Sequence, residues 1–210
     1  MSRVIVYVDG LCEPVNPGGI GCYGFVVIRA GETIMRGRGI AGSGPGMTNN
    51  VAEYSAAIAA LKRLSKEGVS EPVEIRSDSQ LLVRQMQGVY AVRSPHIRKL
   101  HRELQALTGR FPSVSWKWVP RHLNEQADTL SREAYAEHLA QTACERAAGL
   151  RVEPLEKSRW RVLSSRGHTW YTVTLDPDSC TCPAFERGAR PCKHIVAARM
   201  HAPSQDRSDP

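Results

Sequence analysis

The sequence lacks any apolar run long enough to cross a membrane. Its first such run, Val4–Val8, stops at Asp9, far short of the roughly 20 residues a spanning helix needs. It lacks a secretory leader pattern, because Arg3 leads directly into a strand-like stretch. Internal repeats and long low-complexity segments are also missing. A membrane role and a secreted disulfide scaffold are therefore not expected, and the natural compartment is the cytoplasm. Cysteine is sparse, at six residues, and in that compartment the thiols are expected to be reduced or metal-bound. What is present is a globular composition, 41% hydrophobic and 23% charged, with a formal net charge of +7. The excess positive charge suits a polyanionic partner.

The 210 residues suffice for one ordinary domain and a small module. Residues 3–9 are β-branched and aromatic and read as a buried strand. The Gly/Pro/Asn-rich stretch Gly10–Gly19 reads as a turn, and 20–29 and 33–40 as a hairpin around Ala30-Gly31-Glu32. A helix is expected from Thr48 or Asn49 to Lys66, with Glu53, Ala56, Ala57, Ala60, Leu61 and Leu64 on one face. Further expectations are a strand at 73–76, helices at 80–87 and 95–109, a strand at 114–119, and a helix capped by Asn124 running to about Arg146. This order predicts an α/β fold, a five-stranded mixed sheet with helices packed on it.

The pattern changes after Gly149. The expected organisation is a catalytic domain at 1–146, a polar linker at 147–158, a zinc module at 159–201 and a disordered tail at 202–210. In the module, a hairpin at 160–175 precedes Cys180-Thr-Cys182, nine intervening residues, and Cys192-Lys-His194. Three thiolates and an imidazole match a closed structural Zn²⁺ site. A short segment with few large apolar groups needs such a cross-link to fold.

Four acids stand where a solvated surface does not need them. Asp9 closes a buried strand, Glu53 lies on the apolar side of its helix, Asp78 ends a strand between two serines, and Asp128 follows Ala127 near a helix start. Converging carboxylates point to a divalent metal, and oxygen ligands with room for water and phosphate suit Mg²⁺. Two such ions about 4 Å apart can align an attacking water and a leaving oxygen in phosphodiester cleavage. Singly, each acid also fits an ordinary role, as a turn former, a helix cap or an N-terminal helix charge.

The flanking residues narrow the choice. Val8-Asp9-Gly10, Asn16-Pro17-Gly18-Gly19, Thr48-Asn49-Asn50 with Glu53, Ser77-Asp78-Ser79-Gln80, and Asn124 with Ala127-Asp128 together resemble the type 1 ribonuclease H family over residues 3–145, in its compact-loop, reverse-transcriptase-like branch. The resemblance implies the ribonuclease H-like five-stranded sheet with helices on both faces. It implies two Mg²⁺ or Mn²⁺ ions on Asp9, Glu53, Asp78 and Asp128, and cleavage of the RNA strand of an RNA–DNA hybrid. It also implies that Gly10, Cys12, Asn16, Asn49, Asn50 and Gln80 line the minor groove, several of them at RNA 2′-hydroxyls, and that Thr48 holds a DNA phosphate. The chain departs from the family at Leu11, where Ser is common, and by one extra residue before Asn16. The basic handle between the helices is missing, since only Gly88–Ser94 separates them. The segment Val119–Asn124 is short, and His122 is the candidate proton shuttle on it, with an ordinary loop position as the alternative. The cysteine–histidine pattern resembles the SWIM zinc finger over 159–200, which implies a DNA or protein partner. Arg187, Arg190, Lys193 and Arg199 flank the ligands. The whole is read as a monomeric hybrid-cutting enzyme with a tethering module. Its rivals are a non-catalytic nucleic-acid-binding protein and another nuclease or resolvase on the same fold.

Overall fold

The computed structural model describes residues 3–156, 158–188 and 190–203. It divides into two compact units, residues 1–136 and 137–210. In the first, β1 (Val4–Glu13), β2 (Gly18–Arg29) and β3 (Glu32–Gly44) form an antiparallel meander. The helix α1 (Asn49–Lys66) follows, then β4 (Val73–Ser77), α2 (Gln80–Met86), α3 (Pro95–Thr108), β5 (Val114–Trp118) and α4 (Glu125–Ala147). The strand order is β3-β2-β1-β4-β5, with β4 parallel to both β1 and β5. The boundary between the units falls within α4. Among the described residues no helix is long and apolar enough to cross a membrane.

The expected turn at Gly10–Gly19 is shorter than its composition suggests. β1 continues to Glu13, which pairs with Ile20. The glycines here serve close packing rather than a loop. A Cβ on Gly10 would lie 2.3 Å from the backbone of Ala52 and Glu53, so its absence lets α1 press against β1. One pleat earlier, Asp9 faces the other way. A Cβ on Gly24, its partner across the ladder, would lie 2.4 Å from the Ala127 carbonyl of α4. Neighbouring residues of β1 thus reach helices on opposite faces of the sheet.

The α1 face foreseen from the sequence is buried: Ala56, Ala57, Ala60, Leu61 and Leu64 pack with Val4, Val6 and Val8. Thr48 caps the helix by accepting from the Val51 amide at 3.2 Å. Ser79 caps α2 in the same way, at 3.3 Å from the Leu82 amide. Both caps place helix N-termini at the end of the sheet where β1 and β4 present Asp9 and Asp78.

In the second unit, β6 (Val152–Glu156), β7 (Arg159–Leu163), β8 (Trp170–Leu175) and β9 (Asp178–Cys180) form an antiparallel sheet in sequence order. Two helices follow, α5 (Pro183–Glu186) and α6 (Lys193–His201). The stretch 147–158, expected as a linker, is largely structural. Ala147 and Leu150 join the buried cluster around Trp160, and β6 pairs with β7. Pro154 is tolerated because β6 is an edge strand. Ala202, read as the start of the tail, is buried against that cluster; residues 204–210 lie outside the described residues.

Gly24→Ala should lower stability by about 1–3 kcal/mol through overpacking against α4, read as a fall in Tm of several degrees. Gly149→Ala, where a Cβ meets nothing within 4 Å, is the control and should leave Tm unchanged. Equal Tm for Gly24→Ala and the parent protein would show that the α4 packing is not close at this point.

Candidate active site and zinc centre

Asp9, Glu53 and Asp78 are brought to one end of the sheet, and each is held by a neutral donor. Ser131 Oγ of α4 lies 2.6 Å from Asp9 Oδ2 and 2.8 Å from the Asp128 carbonyl. The Ser79 hydroxyl donates to Glu53 Oε2. Asn124 Nδ2 donates to Asp78 Oδ1 at 2.8 Å and to the Val8 carbonyl at 3.0 Å, tying β1, β4 and the start of α4 together. No hydrogen bond or ion pair from Lys or Arg reaches these three carboxylates among the described residues. Burial therefore pushes Asp9 up to about 6 against the relief given by Ser131, with Asp78 and Asp128 adding repulsion. Burial likewise pushes Glu53 up to about 7, with Ser79 opposing and Asp9 and Asp78 reinforcing the rise.

Asp128 is different. Burial pushes its carboxyl up, but hydrogen bonds from Arg132 and Arg121 outweigh that and hold it below the usual range. Arg121 reaches Oδ1 at 2.5 Å, and Arg132 Nε reaches Oδ2 at 2.8 Å. Sequence reasoning singled out His122, yet its neighbour Arg121 is the residue that contacts an acid. His122 is exposed on the single 3-10 turn Arg121–Leu123. It lines a cavity of about 230 Å³ with Tyr7, Val26 and Ile28, and it makes no hydrogen bond to any of the four acids.

The residues expected to meet substrate lie on the adjoining rim. Asn49 Oδ1 accepts from the Cys12 amide at 2.7 Å, and Asn16 Oδ1 from the Asn49 amide at 3.4 Å. The Asn49 amide group, the Thr48 hydroxyl proton and the exposed Gln80 side chain are left to face outward. Cys12 is buried, and its thiol points to the Val15 and Met47 carbonyls. Gly10 offers only backbone. Asn50, half-buried in the first turn of α1, makes no side-chain hydrogen bond.

Cys180, Cys182, Cys192 and His194 are all buried, with ligand atoms within 4.8 Å of one another. They are the one group of three or more potential ligands among the described residues that closes in this way. The Cys182 and Cys192 sulfurs are 3.7 Å apart, and His194 Nδ1 is 3.8 Å from the Cys180 and Cys192 sulfurs. About 3.8 Å is the edge of a tetrahedron with metal–sulfur bonds of about 2.3 Å, so the set fits zinc. A hydrogen bond shared by Cys180 and Cys192 favours a single thiolate between them. The flanking cations are partly committed elsewhere. Arg199 grips Asp178 at 2.9 and 3.0 Å, and Lys193 donates to Ser165.

The supporting side chains were the part missed. Ser131 and Arg132 stand three and four residues after Asp128, on the same helical face, which is the only signal that pointed to them. Ser79 and Asn124 were visible in the motifs, Asn124 as a helix cap, but neither as a donor to an acid.

The family model described as reverse transcriptase-like matches residues 16–134, and that of the SWIM zinc finger matches 171–199. A bifunctional protein of Mycobacterium tuberculosis is 38% identical over 132 residues, which are 63% of this chain but only 35% of that protein. The chain thus spans about a third of this relative's length. Ribonuclease HI of Caulobacter vibrioides is 35% identical over 62% of this chain and 91% of its own. Among solved structures, LC11 ribonuclease H1 in complex with an RNA/DNA hybrid aligns with TM-score 0.60 and 36% identity, over 65% of this chain and 99% of its own.

A pH dependence follows from the raised acids. A carboxyl with a folded-state pKa above its unfolded value makes the native state bind the extra proton. Without metal, stability should be greatest below about pH 4 at these two groups and fall, on the order of a few kcal/mol, as pH rises through 6 and 7. Thermal melts in chelator from pH 4 to 8 check this, with an Asp9→Asn/Glu53→Gln double variant expected to flatten the profile. An identical slope in that variant would place the effect elsewhere.

Proposed function

Because this chain belongs to the ribonuclease H family, in its type 1, reverse transcriptase-like group, we propose that it is an endoribonuclease cutting the RNA strand of RNA–DNA hybrids. The observation that supports this most is the set of three carboxylates at one end of the sheet, one buried and two half-buried, whose hydrogen bonds come from neutral donors. Such a set suits hard divalent cations. Asp9, Glu53 and Asp78 would hold them, as Mg²⁺ or Mn²⁺. When bound, two such ions would lower the pKa of the attacking water and neutralise charge on the scissile phosphate.

The protein's own groups do the rest. Ser131, Ser79 and Asn124 fix one oxygen of each carboxylate and leave the second oxygen to the site. Protons on Asp9 and Glu53 must leave before cations enter, so cleavage should rise between about pH 6 and 8. Asp128 serves as the fourth ligand once Arg121 and Arg132 release it; until then it orients two guanidinium groups beside the site. The exposed His122 is free to carry a proton between solvent and the reacting phosphate. At the rim, the Gly10 backbone and the Asn16, Asn49, Asn50 and Gln80 side chains can bond 2′-hydroxyls, which distinguish RNA from DNA. Cys12 supports that rim by anchoring Asn49, and Thr48 offers its hydroxyl to a phosphate. Residues 159–201 act as a zinc-stabilised finger that tethers the enzyme to nucleic acid or to a protein.

Incubation of labelled hybrid, duplex DNA, duplex RNA and single strands, with and without Mg²⁺, tests the assignment. Only the hybrid should be cut, only on its RNA strand, and only with metal. Asp78→Asn should remove cleavage while leaving Tm within a few degrees. Hybrid binding without cleavage by the parent protein would instead support a non-catalytic role. His122→Ala should slow cleavage by roughly 10²; an unchanged rate and pH profile would make it an ordinary loop residue.

Zinc gives an independent check. One equivalent should bind per chain, and Cys192→Ser should abolish it and unfold residues near 159–200 without removing cleavage. Loss of kcat in that variant would contradict the separation of roles.

A further inference from the structure

Trp118 ends the edge strand β5 with its side chain 42% exposed. A single exposed apolar side chain is ordinary. This one has a fixed orientation and a particular neighbour. Its indole Nε1 donates to the backbone carbonyl of Asp78 at 3.1 Å. In the ladder Trp118 pairs with Ser77, and the Val119 amide returns to the Ser77 carbonyl at 3.0 Å. The turn Ser77-Asp78-Ser79 is therefore held from two sides. Asn124 fixes the Asp78 side chain, and Trp118 fixes its main chain.

The pleat puts Trp118 on the same face as Trp116, which packs into the core beneath α2. The ring of Trp118 lies one strand position beyond that core. Its polar edge is satisfied and its apolar face is open. A tryptophan in this state, bonded at one end and bare at the other, is characteristic of contact surfaces. Gln80, exposed at the start of α2, stands two residues from Asp78 on the same turn.

We infer that Trp118 is a positioning residue for Asp78 and, through its exposed ring, an apolar contact surface for the sugar edge of the bound hybrid beside the cut. The inference rests on the hybrid-cleaving reading above and adds a residue to it. The two roles use different parts of one side chain, so they can be separated. The N–H acts through Asp78 and bears on the chemical step. The ring acts on substrate and bears on binding, where contact with a sugar carries no sequence information.

Trp118→Phe keeps a ring and removes the donor. Loss of one neutral hydrogen bond to the turn should lower kcat about two- to tenfold, with KM unchanged. Trp118→Leu removes donor and ring together and should also raise KM about three- to tenfold through lost apolar contact. Binding of a fluorescently labelled hybrid in chelator, measured by anisotropy, should be unaltered in the first variant and weakened in the second. Acrylamide quenching of the parent protein needs no variant that might misfold: bound hybrid should shield part of the tryptophan emission, and that part should be missing in Trp118→Leu. A parent-like kcat in Trp118→Phe would overturn the positioning role. Parent-like hybrid affinity in Trp118→Leu, or no shielding in the parent protein, would overturn the contact role. Failure of the parent protein to cut any hybrid would overturn the function instead, while the anisotropy and quenching results would still decide the ring's role.

Discussion

Negative charge drawn out of water and hydrogen-bonded by neutral donors is the constraint around which the first unit is arranged. Asp9, Glu53 and Asp78 come from β1, α1 and the end of β4, and each needs its own donor once removed from water. Those donors come from α2, α4 and the turn before α4, so holding the acids draws five elements to one end of the sheet. Close approach of helices on both faces makes this possible, and Gly10 and Gly24 are the residues that permit it. The same burial that lifts Asp9 and Glu53 toward neutrality would let divalent cations gain more there than on a wet surface.

The second unit solves a different problem by different means. Its buried cluster is small, with Trp160, Val162, Val173 and Leu175 on the sheet and Ile195 on the last helix. Cys180, Cys182 and Cys192 sit within that cluster and His194 is buried too, so the candidate ligands are also core residues. A metal there would close the chain between β9 and α6 and replace apolar area the segment does not possess. His194 also packs at 4.9 Å from the Tyr171 ring, which joins the ligand set to β8.

Much of this was readable before any coordinates. The β-branched run at 3–9, the small apolar face of α1 and the cap at Thr48 are local signals, and local signals survive folding because they depend on neighbours in sequence. The four acids stood out because an acid at the end of an apolar strand, or on an apolar helix face, conflicts with its surroundings. Strand lengths were less legible. Gly10–Gly19 has the composition of a turn, yet half of it pairs, since glycine in a strand is chosen by what approaches from outside it. The same blindness hid β6, whose proline and charges suit an edge strand as well as a linker.

By itself, the sequence determined which atoms can do chemistry: four carboxylates, three thiols, two imidazoles of interest, and the order in which strands and helices bring them along the chain. Residue type and spacing suffice for that, because ligand chemistry belongs to the side chain. Only the tertiary structure decided how each group is held. It set Asp128 between Arg121 and Arg132 while leaving the other three acids to hydroxyls and an amide. It turned the Cys12 thiol inward, left His122 without an acid to bond, and hung Trp118 on the Asp78 carbonyl. These pairings join residues as much as 122 positions apart. Hydrogen-bond distances depend on where whole elements come to rest, and no local pattern in the chain encodes that.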